Sequence, residues 1–93
     1  MSVAETIRTK LVAALRPDRL VIKDESHLHA GHAGARPGGQ SHFRVTVVSA
    51  LFEGQPPVVR QRAVNAALKA ELAGPVHALA LKTLTPAEFI AAE

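Results

Sequence analysis

The chain has no cysteine, tryptophan or tyrosine, and only three phenylalanines in 93 residues. Without cysteine it can form neither a disulfide nor a thiolate metal site of its own, so any metal must be held by nitrogen or oxygen donors. Without tryptophan and tyrosine there is little from which to build a base-stacking platform, and Phe43, Phe52 and Phe89 read as core or anchor residues instead. Long apolar runs are also missing. Hydrophobic residues make up 47% of the chain, but they are dispersed, and none forms the run of roughly 18 or more that a membrane span requires. Met1-Ser2-Val3-Ala4-Glu5 carries neither a basic leader with an apolar stretch nor an acid-free, Arg-rich character, so the expectation is a soluble, cytoplasmic protein. No internal repeat is visible. The 11 basic and 8 acidic residues are spread along the chain, and the formal charge of +3 permits nucleic-acid binding without indicating it.

What is present is enough for one modest core, and residues 1–93 are read as a single domain. Ser2 followed by Glu5 is a capping-box pattern, and Val3, Ile7, Leu11, Ala14 and Leu15 recur at helical spacing until Pro17. Arg19 to Lys23 predicts a short strand. From Ser26 to Ser41 the chain is rich in Gly and His and has few side chains able to bury themselves, which predicts a long, exposed, flexible loop between strands. His42 to Ala50 predicts the next strand, with Phe43, Val45 and Val47 on one face and His42, Arg44 and Thr46 on the other. After a turn-rich connection through Pro56 and Pro57, Val64, Ala67, Leu68 and Leu72 mark a second helix that Gly74 and Pro75 end. Val76 to Thr83 predicts a third strand. Thr85-Pro86-Ala87-Glu88 then combines an N-cap, a first-turn proline and a capping-box glutamate, opening a short helix with Phe89 and Ile90. The order is α-β-β-α-β-α. A crossover helix of this length allows its flanking strands to run parallel, so the expected fold class is α+β with a three-stranded mixed sheet and helices packed on it.

Several pieces taken in order resemble the BolA family. They are Ser41-His42-Phe43-Arg44-Val45, Val48-Ser49, Phe52-Glu53-Gly54, Arg60-Gln61-Arg62 with Val64, Glu71-Leu72, Val76-His77-Ala78-Leu79-Ala80-Leu81 and Thr85-Pro86-Ala87-Glu88-Phe89. The likeness covers nearly everything from residue 20 onward. Two positions depart from the family pattern: Gln61 stands where a histidine is common, and Phe89 where a tryptophan is common. The resemblance implies a BolA-like, class II KH-like fold. It also implies a non-enzymatic adaptor that forms a heterodimer with a monothiol glutaredoxin and shares a 2Fe-2S cluster with it and with glutathione. On that resemblance His77 would be the strand ligand and His32 the ligand from the first inter-strand loop, with His29 as second choice and His27 also in the loop. No cofactor is expected in the isolated chain, and neither a small-molecule substrate nor a membrane is expected as a partner.

Imidazole suits this task. Neutral histidine ligates iron in 2Fe-2S clusters and raises the potential relative to thiolate, and its reference pKa near 6.5 lets mild acid compete with the metal. Other readings compete with ligation. His77 could be a histidine satisfied by a backbone carbonyl at the sheet end, the loop histidines could be merely solvated, and His42 reads as a residue making a structural hydrogen bond. Gly31-His32-Ala33-Gly34 spells the Gly-x-x-Gly of KH domains, but it falls between two predicted strands rather than two helices. The second functional class is a DNA-binding transcriptional regulator, in which Arg60, Arg62 and Lys69 would meet phosphates or an acidic partner. A histidine-based metallohydrolase ranks last, because a mobile glycine loop frames such a site poorly.

Overall fold

A computed structural model describes residues 2–25 and 42–92. The first helix, α1 (Val3–Leu15), opens as its capping box predicts, with the Ser2 hydroxyl accepting from the Glu5 N–H at 3.1 Å. It ends where Arg16 turns left-handed at φ 45° just before Pro17. Ile7, Leu11 and Leu15, one helical turn apart, are all buried.

Strands β1 (Arg19–Asp24) and β2 (His42–Val48) are antiparallel, and β3 (Ala78–Leu84) lies parallel to β2, giving the order β1-β2-β3. A short 3-10 turn at Ala50–Phe52 follows β2. The crossover to β3 is helical in two segments, α2 (Pro57–Ala67) and α3 (Lys69–Ala73), which meet at Leu68. The last helix is α4 (Pro86–Ala92). The mixed sheet and the α-β-β-α-β-α order are as expected. Besides the break in the crossover at Leu68 and one-residue extensions of β1 and β3 at their C-terminal ends, the elements differ as follows. The crossover helix begins at Pro57, inside the stretch read as turn. Strand β2 stops at Val48, because Ser49 caps the 3-10 turn. Strand β3 starts at Ala78 rather than Val76, since Val76 is buried in the core and donates its N–H to the Glu71 carbonyl at 2.9 Å. The loop predicted over 26–41 lies outside the described residues.

One face of the sheet makes the core. Phe43, Val45 and Val47 of β2 pack with Ile7, Leu11, Leu15, Phe52, Val64, Leu68 and Val76, and Leu20, Ile22, Leu79 and Leu81 close the flanks. Each fully buried side chain of this size contributes about 1.5–3 kcal/mol relative to exposure. Ser49 ties the layers together: its hydroxyl donates to the Leu15 carbonyl at 2.7 Å and accepts from the Leu51 N–H at 3.1 Å, while its own N–H donates to the Leu84 carbonyl.

Candidate metal and docking site

Parallel pairing brings two distant histidines to one end of the sheet. His42 opens β2 and lies opposite Ala78, so His77 emerges one residue before β3 begins. Their ring centroids are 5.3 Å apart with planes inclined by 53°. His77 is exposed, whereas His42 is only 6% exposed. At the same end the Glu25 N–H donates to the His42 carbonyl at 2.8 Å, so the chain leaves for residues 26–41 and returns from them beside the two rings. His29 and His32 are four and seven residues from Glu25 in the sequence.

The sheet face opposite the core is basic. By strand alternation Arg19, Lys23, Arg44 and Lys82 share it. Arg44 Nε sits 3.3 Å from both carboxylate oxygens of Glu25, a largely exposed pair that adds little stability but lowers the positive field near the histidines. Arg19 lies over the Phe89 ring, 4.8 Å from its centroid, which anchors α4 to β1. Phe89 thus serves as the apolar anchor expected of it.

The predicted site residues separate. His77 is accessible and stands at the end of the sheet from which residues 26–41 depart. His32 and His29 lie outside the described residues. Arg62 and Lys69 are exposed on α2 and α3. Arg60 requires a correction, because it is not part of an exposed basic edge. It is only 7% exposed, and its guanidinium donates to the Gln55 carbonyl at 2.7 Å, the Thr83 carbonyl at 3.2 Å and Glu88 Oε1 at 2.6 Å. Glu88 also completes the predicted capping box, accepting from the Thr85 N–H at 2.8 Å while the Thr85 hydroxyl accepts from the Glu88 N–H at 3.1 Å. The Arg60 hydrogen bond, then that of the Thr85 backbone, holds the Glu88 carboxyl below its ordinary pKa.

The sequence presents His42 only as a structural residue of a polar strand face, and gives no sign of its place beside His77. The signal that finds it is the β2–β3 register, which strand periodicity alone does not supply. Among the described residues no group of three or more His, Asp or Glu side chains could enclose a metal. This end of the sheet therefore offers imidazole nitrogen, with further donors left to residues 26–41 or to another molecule. Among the described residues no helix is long and apolar enough to cross a membrane.

A three-stranded mixed sheet with a helical crossover, presenting an exposed histidine at its edge, defines a small α+β domain of KH-like order. The BolA-like protein family model matches residues 11–88, and the chain belongs to that family. It is 54% identical over 87 residues to BolA-like protein 1 of Bos taurus, covering 94% of this chain and 62% of that one, so it spans about three fifths of that relative's length. The solved structure of BolA1 from Arabidopsis thaliana superposes with a TM-score of 0.83 at 39% identity, over 95% of this chain and 96% of that one. The DNA-binding transcriptional regulator BolA of Vibrio cholerae is 41% identical over 87 residues, covering 94% of this chain and 78% of that one.

Proposed function

We propose that the chain is a non-enzymatic adaptor that docks a monothiol glutaredoxin and supplies histidine to a shared 2Fe-2S cluster, in cluster assembly, transfer or iron sensing. The observation that carries the reading is His77, an exposed imidazole at the sheet end where residues 26–41 both leave and return. In this reading His77 is one ligand and His32 the second, with His29 as the alternative, and the glutaredoxin and glutathione provide sulfur. The donor chemistry fits, because a cysteine-free chain contributes only the nitrogen half of a mixed cluster and imidazole is an accepted ligand there. The cluster supplies redox-active iron; the chain's own part is to present the ring and shield one side of it.

Mixing the chain with a monothiol glutaredoxin, iron, sulfide and glutathione should change the visible absorption and circular dichroism relative to the glutaredoxin alone. His77→Ala should remove the change. An unaltered spectrum, or one indifferent to His77, would sink the proposal.

A second reading, DNA binding, is favoured by the basic sheet face and by the DNA-binding role that the Vibrio cholerae relative carries in its name. In it Lys23, Arg44 and Lys82 on the open sheet face meet phosphates, Arg62 and Lys69 form a separate basic set on the helical layer, and Arg60 takes no part. Affinity should fall steeply between about 50 and 200 mM salt, at roughly one unit of log–log slope per phosphate contact. A flat salt response would exclude it.

A further inference from the structure

We infer that His42 and His77 form a two-nitrogen chelate for a single divalent transition-metal ion such as zinc, independent of any partner and of residues 26–41. The geometry supplies the argument. A metal–imidazole bond is about 2.0–2.1 Å, and the ring centroid lies about 1.1–1.2 Å beyond the bonding nitrogen, so a bound metal stands about 3.2 Å from each centroid. At a tetrahedral angle near 109°, two such rings have centroids about 5.2 Å apart. The observed separation is 5.3 Å. The 53° inclination is no obstacle, since each ring can take its own orientation about its metal–nitrogen bond.

The surroundings agree. His42 belongs to a paired strand and is almost fully buried, so one arm of the chelate is fixed, while the exposed His77 is the arm that adjusts and admits the ion. The nearby cation Arg44 already has Glu25 at 3.3 Å, which softens its repulsion of an incoming ion. Two protein nitrogens are fewer than the four of a structural or the three of a catalytic zinc site, so water fills the remaining positions and the expected affinity is modest. The competing explanation is plain ring-on-ring packing, for which centroids at about 4.5–7 Å are also normal. The test must separate the two.

Zinc chloride is titrated into the full chain, with calorimetry for affinity and long-range 1H–15N NMR of the histidine rings for ligation. The expected result is that one nitrogen of each of His42 and His77 shifts together, with one ion bound. His42→Phe, which keeps a ring but removes the nitrogens, and His77→Ala, at an exposed position, should each weaken binding by about tenfold or more, as loss of the second tethered donor implies. The triple variant His27→Ala, His29→Ala, His32→Ala should bind as the parent does. Undisturbed His42 ring nitrogens, full affinity in His42→Phe, or loss of binding confined to the triple variant would each overturn the inference. The NMR reading on the parent protein decides the matter even if His42→Phe does not fold. Because no glutaredoxin is present, failure here leaves the cluster-sharing proposal untouched.

Discussion

Arg60→Met should be among the most damaging single substitutions outside the apolar core. The guanidinium joins three elements: the entry to α2 through Gln55, the end of β3 through Thr83, and α4 through Glu88. A hydrogen bond to a charged group contributes about 1.5–3 kcal/mol, and a buried acceptor left unpaired costs about 1–3. The full sum overstates the loss. The Thr83 contact is long at 3.2 Å, and the Glu88 side chain, 48% exposed, would be taken up by water. Methionine also keeps most of the buried stem, though the cation's approach to the Phe52 ring at 5.8 Å disappears. The net expectation is a loss of about 2–3 kcal/mol. For a domain of this size each kcal/mol moves Tm by about 4–8 °C, so the midpoint should fall by roughly 10–20 °C. Urea denaturation and calorimetry measure both quantities. Arg60→Lys should lose about half as much, because one ammonium cannot reproduce a planar fork aimed at three acceptors. A loss under about 0.5 kcal/mol for methionine, or lysine equal to arginine, would refute the assignment of Arg60 as a structural tie.

Ser49→Ala removes the fully buried hydroxyl between Leu15 and Leu51 and should cost about 1–3 kcal/mol in denaturant midpoint, with the far-UV spectrum retained. Gly54 holds φ 78° with open space where a β-carbon would stand, so Gly54→Ala should cost about 1–2 kcal/mol from backbone conformation alone; no change in Tm would argue against that turn geometry. Because the folded-state pKa of Glu88 is lowered, its stabilising contribution is present above the ordinary value near 4.5 and is lost as pH falls through the lower folded value. Glu88→Gln should accordingly flatten part of the acid decline in Tm, and an unchanged slope would count against the Arg60–Glu88 contact.

The parts of the fold legible in the sequence are those written locally. Ser2 with Glu5 and Thr85 with Glu88 mark helix starts within four residues of chain, and both pairs make the capping contacts their spacing implies, Thr85–Glu88 reciprocally. The alternation of Phe43, Val45 and Val47 likewise locates the buried face of β2. The start of β3 is not legible, because Val76, Ala78 and Ala80 and their neighbours Leu79 and Leu81 leave both parities apolar, and only the hydrogen bond from Val76 back to Glu71 shows that the strand has not yet begun. Arg60 reads as one cation among several on a helix, and its burial follows from where β3 and α4 come to rest. For the candidate site, the sequence singles out His77 and passes over His42, since two residues so far apart in the chain are joined only by the strand pairing between them.

That pairing sets an order in time. During synthesis His42 leaves the ribosome well before His77, and the two rings cannot face each other until the intervening crossover has been made, folded and followed by β3. A product terminated before His77 would carry His42 without that counterpart, alongside His27, His29 and His32. Joint use of the two rings thus becomes a late event in maturation, possible only once β3 has been made and paired with β2.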